Sequence, residues 1–211
     1  MSLTHSRRMF MSVFTSLAGA AAVQSEIAAA QAPPSPTDLA WLDGLRGRHK
    51  QAFDYGGFDL TDPLPPLRFP RNFLNSVRDV TRLEFPDVNT AVGISGPAFP
   101  LNASDKIWQE YGLGERYKII DPTTKKPAVR NVFLDGGEFS VKALQARGTV
   151  FWQCQYGLDF VAGQLAQSTG RPVAEVRASL MAGLNPGVRL VPSHMMALGA
   201  AQEHGFTYVR V

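Results

Sequence analysis

From His49 to Tyr55 the chain alternates so that Phe53 and Tyr55 fall on one face, which predicts a first strand. Phe58 to Pro70 follows as a loop, because Thr61-Asp62-Pro63-Leu64-Pro65-Pro66 sustains neither a helix nor a central strand. From Arg71 to Leu83 the apolar residues Phe73, Leu74, Val77, Val80 and Leu83 recur at three and four, which predicts a helix with that face buried, ended by Pro86. Thr90 to Ile94 reads as a buried strand delivering the tight turn Ser95-Gly96-Pro97. A helix is expected from Ser104 to Tyr111, stopped by Gly112 and Gly114, and residues 117–131 read as an ordered excursion or small hairpin.

Phe139 to Ala146 is expected to be helical, Thr149 to Gln153 a strand, and Leu158 to Gln167 and Val173 to Met181 helices, with Pro172 near the first helical position of the latter. Asn185-Pro186-Gly187 turns into a strand, Val188 to Pro192. Ser193 then caps a helix to Glu203, His204-Gly205 ends it, and Phe206 to Val211 alternates as a last strand. Strand and helix alternate throughout. The expected fold is α/β, a three-layer single domain with a five-stranded, mainly parallel sheet and helices on both faces.

The N-terminus departs from this grammar. Arg7-Arg8-Met9-Phe10 precedes an uncharged stretch rich in Ala, Gly, Ser and Thr, then Ala28-Ala29-Ala30, the parts of a secretory signal of the twin-arginine type. The stretch is too short to hold a bilayer, where about 20 strongly apolar residues are needed, so no stable membrane anchor is expected after cleavage. The organisation expected is a signal over 1–30, a Pro-rich linker and short helix from Thr37 to Leu42 within 31–48, and the α/β domain over 49–211. The compartment expected is the periplasm.

Charge narrows the partners. The 211-residue chain has 21 Lys and Arg against 18 Asp and Glu, a net charge of +3, and no basic run interleaved with aromatics, which argues against nucleic-acid binding. Cys154 is the one cysteine, so the chain makes no internal disulfide, and the thiol is either an inert core residue or carries chemistry. No phosphate loop, dinucleotide fingerprint, nucleophile elbow or paired-cysteine motif occurs, so no cofactor or dedicated metal site is expected.

Ligands and reactive groups in such a sheet gather at the carboxyl ends of the strands. Cys154 falls there, after Thr149 to Gln153, with Gln155-Tyr156-Gly157 leading into the next helix, where a helix N-terminus favours a thiolate. Ser193, His194 and Met195 open a helix at the same edge, so His194 is a candidate to support the thiolate or relay protons, or to occupy only an exposed first turn. Cys154, His194 and Met195 together also suit copper. Gly96 is the third candidate, a glycine that permits close backbone approach to Cys154 or serves only its turn. His49 and His204 have no ligand spacing, and His204 reads as a helix C-terminal residue complementing the dipole.

Phe151-Trp152-Gln153-Cys154, then Leu184-Asn185-Pro186-Gly187-Val188-Arg189-Leu190-Val191-Pro192, then Ala197-Leu198 through Gln202 to Gly205-Phe206-Thr207-Tyr208, resemble the DsrE/DsrF-like family of small sulfur-handling proteins. The resemblance covers 149–211 and, more loosely, 49–114. It implies a five-stranded α/β fold, homo-oligomers, and in some members a cysteine that carries sulfur as a persulfide, with Cys154 lying where that cysteine would lie. A sulfur donor or acceptor protein is the partner it implies. The chain departs from the family in its export signal, in the added residues 117–131, and in His194-Met195-Met196 where small residues are expected. The function expected is thus a sulfur carrier or sulfurtransferase, the alternatives being a non-enzymatic binding or assembly module, or a copper protein.

Overall fold

The computed structural model describes residues 38–62 and 64–211; the signal expected over 1–30 and the Pro-rich linker expected after it lie outside the described residues. A 3₁₀ turn, Ala40–Gly44, leads to β1 (His49–Tyr55), α1 (Arg68–Thr81) and β2 (Val88–Ile94). A second 3₁₀ segment, Gly96–Asn102, precedes α2 (Asp105–Tyr111), α3 (Leu113–Arg116) and α4 (Val141–Ala146). Then come β3 (Val150–Cys154), α5 (Gln155–Thr169), α6 (Val173–Ala182), β4 (Arg189–Val191), α7 (His194–Glu203) and β5 (Thr207–Arg210).

The five strands form one sheet in the order β4-β3-β2-β1-β5, and every pairing is parallel. Parallel strands covered on both sides are apolar almost throughout, and β2 is buried at every residue. Alternation then divides the side chains between two cores. Phe53, Tyr55, Val92, Ile94 and Phe151 meet residues of α1, α2 and α4 to α6, while Ala52, Ala91, Trp152 and Val191 meet Leu42 and the Ala197, Leu198 and Ala201 stripe of α7. The fold is therefore three layers, with α7 and the first 3₁₀ turn alone on one face.

Topology follows from this division. From β1 to β4 each connection steps one strand across the sheet on the larger core's side; α7 then returns on the opposite side and sets β5 against β1. Adjacent strands β3 and β4 thus send their helices to opposite faces. The crevice beyond their carboxyl ends is a topological switch point.

Several expectations are corrected. Helix α1 starts three residues early, at Arg68, with Pro70 and Leu74 as its buried residues, and Val80 is 83 % exposed rather than in the core. Val80 lies roughly 80° around the helix from Pro70, at the margin of the stripe and in the last turn. Residues Leu113–Arg116 form a further helical turn through Gly114, where a Cβ would strike the Ala128 backbone. The excursion over 117–131 carries one antiparallel bridge, Ile120 to Pro127, with Asp121 Oδ1 accepting from the backbone N–H groups of Thr123 and Thr124. Pro172 is the N-cap of α6 and not its first helical residue.

Candidate functional site

Cys154 ends β3 and is itself the N-cap of α5, so Gln155-Tyr156-Gly157 is the helix's first turn and not a loop leading to it. Its Sγ accepts the N–H of Gly157 at 3.3 Å, the bond an N-cap oxygen ordinarily takes. The same Sγ accepts the N–H of His194, also at 3.3 Å, the first residue of α7. Two helices that leave opposite faces of the sheet therefore aim N-terminal N–H groups at one sulfur. Both donors complement negative charge on it.

Ser193 holds the N-cap position of α7 but makes no side-chain capping bond, contrary to the expectation from its type. Space for the junction comes from Gly157: a Cβ there would lie 2.5 Å from Ser95 Oγ and 2.9 Å from Gly96 N. Gly96 takes φ +51 in its turn, so the close approach expected of it is made to the first turn of α5.

His194 is buried, and its ring faces the sheet instead of the thiol. Nδ1 lies 3.1 Å from Trp152 Nε1 and Nε2 lies 2.6 Å from Asp54 Oδ1. An indole N–H can only donate, so Nδ1 is the acceptor and the ring's proton is on Nε2, donated to the carboxylate. The proton-relay role expected of this imidazole toward Cys154 has no geometric basis; its backbone N–H makes the contact. Asp54 also accepts from Gly56 N at 2.7 Å and, through Oδ2, from the Tyr208 hydroxyl at 2.8 Å.

The slot that receives the ring is built by register. Asp54 pairs with Gly93, and Gly93 with Trp152, so acid, glycine and indole form one row across β1, β2 and β3 on the face covered by α7. The imidazole fills the gap in that row: a Cβ on Gly93 would strike the Trp152 ring and lie 2.8 Å from His194 Cε1. Gly56 closes the slot, where a Cβ would be 3.1 Å from Nε2. Burial pulls the Asp54 carboxyl upward, but its bonds to His194, Gly56 and Tyr208 outweigh this and hold it below its ordinary value. The bond to Asp54, foremost, pushes the Tyr208 hydroxyl up.

Cys154 is 4 % exposed. The two helices that start at it carry exposed apolar side chains: Tyr156 in the first turn of α5 is 73 % exposed, Met195 in that of α7 is 73 % exposed, and Phe160 and Met196 of the same helices are exposed as well. Met195 therefore points to solvent, and both His194 nitrogens are engaged, so this arrangement offers copper no free imidazole. Among the described residues no three His, Cys, Asp or Glu side chains group to hold a metal ion, and no helix is long and apolar enough to cross a membrane. His204 bonds Ala200 O through Nδ1 and Asp43 through Nε2, and His49 stands exposed at the start of β1.

Asp54, Gly93, Trp152, Gly157 and Tyr208 are absent from the candidates drawn from sequence. An acid between Phe53 and Tyr55 in a strand of a doubly covered sheet was the available signal, since a buried carboxylate requires a partner. No family model matches the chain, and none of the curated proteins does. Among solved structures, a protein of unknown function from Methanobacterium thermoautotrophicum is similar at 15 % identity over 77 % of this chain and 99 % of its own, with a TM-score of 0.39, too loose a likeness to bear on function.

Proposed function

We propose that the chain is an exported sulfur carrier in which Cys154 accepts a sulfane sulfur as a persulfide and passes it to an acceptor thiol. One observation carries this reading: the Cys154 sulfur lies at the switch point of the sheet and accepts N–H groups from the first turns of two helices. Such donors complement negative charge on the sulfur in the closed site. The family resemblance around Cys154 and the Arg7-Arg8 signal add the substrate class and the compartment.

With thiosulfate as donor, the thiol first loses its proton to solvent. The Cys154 thiolate attacks the outer sulfur, the donor's S–S bond breaks, and sulfite leaves with the bonding pair as the new S–S bond forms. An acceptor thiolate then attacks the outer persulfide sulfur and releases Cys154 as thiolate. At 4 % exposure the cysteine meets a donor only through local opening around it, so such opening is part of the cycle.

Intact mass after incubation with thiosulfate tests the reading: the wild type gains one sulfur atom and Cys154→Ala gains none. A folded wild type that gains none, although its thiol alkylates fully in denaturant, overturns it. Replacing Arg7 and Arg8 together by lysine should leave the protein unprocessed in the cytoplasm; undiminished export would refute the twin-arginine route.

A second reading, a binding or assembly module, is favoured by the burial of Cys154 and the exposure of Tyr156, Phe160, Met195 and Met196 in the two helices that begin at it. Unchanged partner capture in Cys154→Ser alongside loss in Tyr156→Ser and Met195→Ser would establish it.

A further inference from the structure

We infer that Asp54, Gly93 and Trp152 are positioning residues for Cys154, acting together by locking the His194 ring in one tautomer so that its backbone N–H stays on the sulfur. The role rests on the reading of Cys154 as the acting sulfur.

The cross-strand row accounts for the lock. A ring bonded at one nitrogen can pivot about that bond; one held at Nδ1 by Trp152 and at Nε2 by Asp54 cannot. The two holders stand on β3 and β1, and the strand between them contributes glycine at the matching register, so the ring occupies the space a Gly93 side chain would take. His194 is also the first helical residue of α7. Pinning its side chain to the sheet therefore pins the helix N-terminus, and with it the N–H aimed at Cys154 Sγ.

Holding α7 on the sheet does not rest on this polar set alone. The rest of α7 is held by Ala197, Leu198 and Ala201 against Ala52, Ala91 and Val191. A buried acid and imidazole pay a desolvation penalty that apolar side chains of similar volume avoid. What the polar set supplies and an apolar set would not is direction. The Tyr208 hydroxyl and the Gly56 N–H complete the carboxylate's partners, so Asp54 stays ionised as the ring's acceptor.

Two measurements on the full chain test the inference. In ¹⁵N-labelled wild type, the His194 ring should show a protonated Nε2 and an unprotonated, hydrogen-bonded Nδ1; a proton on Nδ1 overturns the assignment without any variant. The pH profile of Cys154 alkylation by iodoacetamide then reads the effect on the sulfur. Asp54→Ala and Gly93→Ala should each move the midpoint to higher pH, and Asp54→Asn, whose amide oxygen can still accept from Nε2, should restore much of it while a merely looser helix would change only the plateau rate. Identical midpoints in folded variants overturn the positioning role. Alkylation needs no sulfur transfer, so a protein that accepts no sulfane sulfur but shows these shifts would sink the proposed function and leave the positioning standing.

Discussion

His194 Nε2 lies 2.6 Å from Asp54 Oδ1, joining the last helix to the first strand across 140 positions of sequence. Neither residue is a surface ion-pair partner of the ordinary kind. Both are buried, and the pair sits where an apolar core would close most easily. Its consequences for stability and for the neighbouring sulfur differ, and each is measurable.

Because the folded Asp54 carboxyl is held below its ordinary value of 3.8, its contribution to stability is complete above that value and is lost as pH falls through the lower, folded one. Asp54→Ala also leaves the His194 Nε2–H without its acceptor, at a cost of about 1–3 kcal/mol near neutral pH. Urea unfolding of wild type and variant should show that gap at neutral pH and a narrower one in acid, as pH falls through the lowered folded value. A gap independent of pH would mean that the carboxylate is not what holds the ring.

His204 has the opposite sign. Its bond to Ala200 O, foremost, and its bond to Asp43 raise the imidazole above its ordinary 6.5, so the stability it adds is full below that value and lost as pH rises through the folded one. His204→Gln should therefore melt below the wild type in mildly acidic buffer and converge with it in alkaline buffer. Equal melting temperatures in acid would show that the tie between α7 and the first 3₁₀ turn adds nothing.

Asn131 makes a third, uncharged case. Its Nδ2 reaches the carbonyls of Pro100, Leu101 and Ala103 at 3.2, 3.2 and 2.7 Å, and its Oδ1 accepts from Phe133 N. One side chain thus satisfies the end of the second 3₁₀ segment and holds the 117–140 region to it. Pro100 O keeps Trp108 Nε1 and Leu101 O keeps Asn185 Nδ2 as donors, so Asn131→Ala strands the Ala103 carbonyl and should cost about 1–3 kcal/mol in urea unfolding, whereas Asn131→Asp, which cannot donate when ionised, should be no better. A loss well under 1 kcal/mol, on the order of an exposed substitution, would contradict this.

Much of the fold was legible in local pattern. The strand from His49 to Tyr55 occurs with those bounds, because Phe53 and Tyr55 alternate onto one face and Gly56-Gly57 ends the run. The junction at Cys154 was misread by a few residues, since Gly157 looks like loop and only the Ser95-Gly96 backbone packed against it explains a glycine in a helix's first turn. Val80 followed the right period but fell in the last turn, where periodicity says nothing about what lies opposite. The site was half legible. Cys154 and His194 declared themselves by position, but their orientation depends on a cross-strand row, Asp54, Gly93 and Trp152, whose members are far apart in sequence and meet only through register.

The central claim is that the buried Cys154 sulfur is reached by reagents in the folded protein. Native-state alkylation tests it most directly, with the rate followed as iodoacetamide concentration rises and compared with the rate of global unfolding. Labelling should keep rising with reagent and exceed the unfolding rate, through local opening around the sulfur. Labelling that levels off at the global unfolding rate would make Cys154 a helix cap locked in the core, and would contradict the account.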